Sequence, residues 1–275
     1  MKAMKWMAAF AAAAFAAGAC GQKEDTPKVL VLYYSQTSNT KTVAEEIANR
    51  LGADIEEVVM VNPYEEDFQA TIDRCLKERE EGVLPEIEPV KADLSQYDVV
   101  FLGYPVWFGT CARPMLTLLG VVDLAGKKVV PFCTFGSGGL QSSVKDVAAK
   151  QPEAEILPGY GVRAARIAAV PEEVDYFLKA NGFLEGEYVQ LEEFPEAHPV
   201  SEAEAALFDA AVGGYPMLRA KAAAVATRAL PNGTEYLFTA VDEPRDDVPA
   251  AEPNEIKVYV TALNGETPVF TQVVR

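Results

Sequence analysis

Residues 28–40 read KVLVLYYSQTSNT, and this stretch decides the fold of most of the chain. Its first seven residues are mostly apolar and rich in valine, leucine and tyrosine, which is typical of a strand buried in a parallel sheet. A polar loop at 35–40 follows, and residues 40–51 then place apolar side chains at helical spacing. We therefore predict a strand, a short loop and a helix in direct succession, which is the repeating unit of an α/β fold.

The alternation of strand and helix continues to residue 182. The predicted strands are 28–34, 54–61, 98–103, 128–133 and 156–162, and the predicted helices are 40–51, 67–82, 113–120, 140–150 and 172–181. This pattern predicts an open five-stranded parallel sheet with helices on both faces. In such a sheet, ligands bind at the carboxyl ends of the strands.

Three loops at those strand ends have a composition that suits a ligand. The first loop, 35–40, carries hydroxyl groups before a helix and could hold a phosphate, although a plain helix cap is the alternative. It lacks the lysine of an ATP-type loop and the glycines of a dinucleotide fold. The second loop, 103–109, carries aromatic rings that either stack on a flat ligand or cover the sheet end. The third loop, 134–139, is glycine-rich, so its backbone can approach the same place closely.

Taken together, residues 28–40, the GYPVW stretch at 103–107 and the strand segment at 126–134 resemble the flavodoxin family. The resemblance is to a branch with a Gly-Tyr-Pro-Ile-Trp-type second loop, and it covers about residues 28–182. It implies the sheet order 2-1-3-4-5 and bound FMN, with Trp107 as the main stacking partner of the isoalloxazine. The FMN-binding residues that it implies are Ser35, Gln36, Thr37, Ser38, Asn39, Thr40, Pro105, Val106, Trp107, Phe108, Gly109, Thr134, Phe135 and Gly136.

Two positions depart from the pattern of that family. Ser38 stands where the family usually has glycine, so its Cβ is expected to crowd the phosphate turn or to force a positive φ. Phe135 replaces the histidine of a Thr-His-Gly third loop, and we therefore assign no catalytic acid or base.

The cysteines and the single histidine give little material for a metal site, and none is assigned. Cys75 and Cys133 are interpreted as core residues. Cys111 opens a predicted helix, a position that can lower the pKa of a thiol, which leaves open a redox pair with Cys133.

The first 19 residues contain no acid, and two lysines precede an apolar run, as is typical of a secretory signal peptide. Small residues just before Cys20 resemble the lipobox of bacterial lipoproteins. That resemblance implies cleavage before Cys20, lipidation of its thiol, a tether at 20–27 and a place in the bacterial cell envelope. Plain secretion and an uncleaved anchor are the alternatives. The net charge of −17 argues against a nucleic-acid partner.

Residues 183–275 follow a different pattern. Residues 183–200 are rich in glutamate and are predicted to form an acidic linker. Ser201 and Glu204 have capping-box spacing at the start of a helix, and four segments with strand character follow it. The layout of residues 201–275, one helix and an antiparallel sheet, weakly resembles the cystatins. The inhibitory Gln-x-Val-x-Gly hairpin of that family is missing, which favours a docking or spacer module.

These resemblances imply an FMN-dependent oxidoreductase or electron carrier that works outside the cytoplasm. The implied donor is NAD(P)H or a redox protein, and the implied acceptor is a quinone-like compound or another protein. The alternative is a non-catalytic lipoprotein that binds flavin poorly, because of Ser38 and Phe135, and that binds a protein through its C-terminal module.

Overall fold

A computed structural model describes residues 27–242 and 254–275 of the chain. The predicted signal peptide, the predicted lipidation site Cys20 and nearly all of the predicted tether lie outside these residues. Within the described ranges, no helix is both long enough and apolar enough to cross a bilayer.

The first sheet contains all of the strands that the sequence predicts before residue 182. Its strands are β1 (Val29–Tyr33), β2 (Asp54–Glu57), β3 (Val99–Trp107), β4 (Thr110–Cys111), β5 (Lys128–Phe135), β6 (Glu155–Ile156) and β7 (Tyr160–Arg163). The order is β2-β1-β3-β5, and both β6 and β7 pair with β5. Every pairing is parallel except the hairpin of β3 and β4. The predicted fourth strand is β5, and the predicted fifth strand is divided into β6 and β7. The predicted order 2-1-3-4-5 is therefore confirmed.

Helices cover both faces of this sheet. They are α1 (Asn39–Leu51), α2 (Phe68–Glu81), α3 (Arg113–Val121), α4 (Leu140–Lys150) and α5 (Val170–Ala180). Alternate side chains of β1 enter two different cores: Leu30 and Leu32 pack with residues of α3 and α4, whereas Val31 and Tyr33 pack with residues of α1 and α5. The apolar run that opens the sequence is therefore buried on both faces, as a central parallel strand requires.

Two strands extend further than the sequence predicts. β3 continues past Gly103 to Trp107, because Tyr104 and Pro105 pair with Cys133 and Thr134 of β5. β5 likewise continues to Phe135. The predicted second loop is therefore mostly strand, and its true turn is Phe108–Gly109 between β3 and β4.

The C-terminal domain is a second, antiparallel sheet with one helix. It consists of β8 (His198–Pro199), α6 (Glu202–Val212), β9 (Ala220–Leu230), β10 (Gly233–Asp242), β11 (Asn254–Leu263) and β12 (Val269–Val274), with the sheet order β12-β11-β10-β9-β8. Ser201 and Glu204 form the predicted capping box. Phe208 of α6 packs edge-on against Phe238, with a centroid distance of 5.0 Å, in the core beneath the sheet.

Candidate functional site

The three predicted loops meet at the carboxyl edge of the first sheet. The backbone N–H of Tyr34, at the start of the first loop, donates to the carbonyl of Gly103 over 3.0 Å. Pro105 of β3 lies opposite Thr134 of β5 in the sheet register. The hydroxyl groups of Thr40 and Thr134, both buried, are 2.8 Å apart and hydrogen-bonded. Parallel strand ends thus bring together residues that lie nearly 100 positions apart in the chain.

The first loop leads directly into the amino terminus of α1. Ser38 is the N-cap residue and has a left-handed backbone, with φ of 64°, although its side chain makes no capping hydrogen bond. Hydroxyl and amide groups within the loop bond to one another: Asn39 Nδ2 donates to Thr37 Oγ1 over 3.2 Å, and the N–H of Lys41 donates to Ser35 Oγ over 3.2 Å. The positive φ is one of the two outcomes that the sequence predicts for a Cβ at position 38.

The second loop is a hairpin turn that presents one exposed aromatic ring. Phe108 and Gly109 have φ of 51° and 79°, and positive φ at both central residues is the geometry of a type I′ turn. Phe108 is 48% exposed, and the guanidinium of Arg79 lies 4.9 Å from its ring centroid. Trp107 is half-buried and meets Tyr34 and Tyr64 edge-on, at centroid distances of 6.1 and 5.3 Å. The protein thus fixes the Trp107 ring and leaves the Phe108 ring open to solvent.

The third loop begins at the end of β5 and leaves Gly136 exposed. The side chain of Phe135 beside it is only 3% exposed and belongs to the core between the sheet and α4. Thr40 is also buried, and its hydroxyl is hydrogen-bonded to that of Thr134.

The C-terminal domain lies against this third loop, a contact that the sequence reasoning missed. The N–H of Val273 in β12 donates to the carbonyl of Ser137 over 2.6 Å. Arg163, at the end of β7, donates from Nε to the carbonyl of Gly136 over 2.8 Å and from Nη1 to the carbonyl of Phe270 over 3.1 Å. A charged residue at the end of a buried strand was the one signal in the sequence for this contact.

The Flavodoxin family model matches residues 28–170, which is just over half of the chain. The chain belongs to the flavodoxin family. Among solved structures, a protein from Bacteroides eggerthii DSM 20697 is 28% identical and covers 57% of this chain and 99% of its own, with a TM-score of 0.49. A flavoprotein from Lactobacillus acidophilus NCFM, solved in complex with FMN, is 26% identical and covers 55% of this chain and 97% of its own, with a TM-score of 0.45. No match was found among curated proteins.

The three thiols of the flavodoxin domain are buried, and burial disfavours their thiolate forms. Cys75, Cys111 and Cys133 are all free and buried. Burial raises the pKa of Cys111 to about 12, and it also raises the pKa of Cys133. Cys111 lies in β4, two residues before α3, and its burial opposes the lowering of a thiol pKa that a helix start can produce. The redox pair of Cys111 and Cys133 stays a prediction.

A large surface cavity lies at the opposite edge of the flavodoxin sheet. Its volume is about 940 Å³, and its lining includes Asp93, Thr117 and Lys127. Lys127 immediately precedes β5, so the cavity opens at the amino ends of the strands. It is separate from the three loops, and its size alone assigns it no ligand.

Proposed function

We propose that this flavodoxin binds one FMN at the three loops and passes electrons between a reduced donor and a quinone-like or protein acceptor. The observation that carries the proposal is the junction of the loops, where the hydroxyl groups of Thr40 and Thr134 bond over 2.8 Å beside Pro105. A location outside the cytoplasm belongs to the same proposal and rests on the sequence of residues 1–20 alone.

The first loop fits the phosphate of FMN. The amino terminus of α1 carries the positive end of the helix dipole, and no acidic residue stands in its first turn. Ser35, Thr37 and Ser38 add hydroxyl groups, and Thr37 and Ser38 are exposed. The left-handed backbone at Ser38 favours a concavity of successive N–H groups, which binds anions. These donors are neutral, so the helix dipole supplies the electrostatic attraction.

The second loop fits a flat aromatic ring. Trp107 is held by its edge contacts with Tyr34 and Tyr64, so little conformational entropy would be lost when a ligand stacks on it. Phe108 offers a second ring at the exposed tip of the turn. FMN would supply the transfer of electrons, while these side chains would orient its ring and exclude water from one side.

The test is to titrate the purified mature chain with FMN and, separately, with riboflavin, following quenching of flavin fluorescence. We expect one FMN per chain and weaker binding of riboflavin, because riboflavin lacks the phosphate that the first loop would hold. Trp107→Ala should weaken both ligands about fivefold, since an aromatic stacking contact contributes roughly 1 kcal/mol. The loaded protein is then assayed for oxidation of NADH and NADPH with a quinone acceptor.

Tyr188→Ala is the control, because it also removes an aromatic ring, one that is 44% exposed and contacts Tyr176 rather than a residue of the loops. Its FMN affinity should equal that of the unaltered protein. A colourless protein whose melting temperature does not change with added FMN would contradict the proposal and favour the non-catalytic alternative. Equal affinities for FMN and riboflavin would contradict the phosphate role of the first loop.

A further inference from the structure

The contact between the C-terminal domain and the third loop involves two glycines of that loop and explains one of them, Gly138. A Cβ at Gly138 would overlap the backbone carbonyl of Val273, and a Cβ at Gly136 would lie 2.9 Å from the hydroxyl of Tyr215. Neither glycine has the positive φ that would by itself favour glycine. The lack of a side chain at Gly138 is therefore required by the close approach of the Val273 backbone, whereas a Cβ at Gly136 would only displace the end of the Tyr215 side chain.

Arg163 joins the two parts. It is only 8% exposed, and it donates hydrogen bonds to a carbonyl on each side, Gly136 in the third loop and Phe270 in β12. Its guanidinium carbon also lies 3.5 Å from the ring centroid of Phe270 and 5.2 Å from that of Tyr215. Among the described residues, no carboxylate forms an ion pair with Arg163. Separation of the domain from the loop would break the hydrogen bond from Arg163 to Phe270 and the cation–π contacts with both rings, and these contacts therefore favour the docked arrangement.

The surfaces in contact belong to different units of the chain. The flavodoxin family match ends at residue 170, whereas Tyr215, Phe270 and Val273 belong to the C-terminal domain. The end of the third loop is thus positioned by residues that the family pattern does not contain. A ligand that needs this loop in one conformation would gain affinity whenever the domain is docked.

We propose that the C-terminal domain is a structural part of the FMN site: Arg163 and β12 hold the third loop in its ligand-binding conformation, so that domain docking and FMN binding stabilise each other. Arg163 acts here as a positioning residue. The proposal rests on the proposed function, because it requires FMN to contact the loop at Gly136. By thermodynamic linkage, the factor by which docking tightens FMN binding equals the factor by which FMN tightens docking.

The experiment uses the full mature chain and two variants, Gly138→Ala and Arg163→Gln. Gly214→Ala is the matched control, because a Cβ at Gly214, also in the C-terminal domain, has no neighbour within 4 Å. FMN affinity is measured by fluorescence quenching, and docking is measured by hydrogen exchange of residues 269–274 with and without FMN. Arg163→Lys replaces any variant that fails to fold, since lysine keeps the charge but lacks the planar donor fork that reaches both carbonyls.

In the unaltered protein, FMN should slow exchange in β12, a reciprocal effect that a merely structural contact would not produce. Gly138→Ala and Arg163→Gln should speed exchange in β12 without FMN and should weaken FMN about tenfold, within the usual range of coupling between sites. Unchanged FMN affinity alongside faster exchange would overturn the proposal. Tighter FMN binding in these variants would also overturn it, because the domain would then obstruct the site. If the unaltered protein binds no FMN, the proposed function fails as well, whereas exchange without FMN still reports docking separately.

Discussion

The first and third loops reach the same edge of the sheet but are held there by different means. The first loop has no glycine and carries a left-handed serine at position 38. Its hydrogen bonds join neighbouring residues, as Asn39 to Thr37, and also reach the carbonyl of Glu65 and the hydroxyl of Thr134. The third loop has three glycines and is held from outside, by Arg163 and by the N–H of Val273. The first loop is therefore held within the flavodoxin domain, whereas the third loop is held both by Arg163 of that domain and by Val273 of the C-terminal domain.

This difference indicates which parts of the molecule a substitution in each loop should affect. A change in the first loop should alter local strain and leave the C-terminal domain docked. A change in the third loop should also reach a second domain. The hydroxyl groups of Thr40 and Thr134 form a side-chain hydrogen bond between the first and third loops, so a substitution at this pair should affect both loops.

The largest effect is expected for Thr134→Val. The substitution keeps the shape of the side chain but leaves the buried hydroxyl of Thr40 without its partner, which should cost about 2 kcal/mol of unfolding free energy. Urea denaturation of the flavin-free protein measures this loss. The double variant Thr40→Val/Thr134→Val should recover most of it, because neither hydroxyl is then left unsatisfied. Strictly additive losses would contradict a direct bond between the loops.

The same contrast explains how much the sequence could predict. The helix start after the first loop and the capping box at Ser201 could be predicted from neighbouring residues, because bonds such as Lys41 to Ser35 and Glu204 to Ser201 lie within a few positions. The extension of β3 to Trp107 could not, since it depends on register with β5. The burial of Phe135 follows from that same extended strand. The role of Gly138 required knowledge of β12, whose partner in space no local pattern reveals.

The next effect is expected for Ser38→Gly in the first loop. Glycine adopts a φ of 64° without steric cost, whereas serine does not, so the substitution should stabilise the flavin-free protein by about 1 kcal/mol. Ser38→Ala is the control: it keeps the Cβ, and it loses no capping bond because the Ser38 side chain makes none. Urea denaturation should show a gain for glycine and little change for alanine. Equal results for the two variants would show that the strain at position 38 is negligible.

The smallest effect is expected for Phe108→Asn in the turn between β3 and β4. Asparagine followed by glycine is the favoured pair for a type I′ turn, and a bulky residue at a φ of 51° is strained. Relief of that strain, less the loss of the contact with Arg79, should stabilise the flavin-free protein by about 0.5 kcal/mol. Phe108→Ala, which keeps a strained Cβ and loses the ring, should show no gain.

If the Phe108 ring also lines the isoalloxazine, the Phe108→Asn variant should bind FMN more weakly although it is more stable to unfolding. Higher stability together with weaker FMN binding would show that the strained backbone at Phe108 is kept because its ring contacts FMN. Higher stability together with tighter FMN binding would show that Phe108 only covers the end of the sheet.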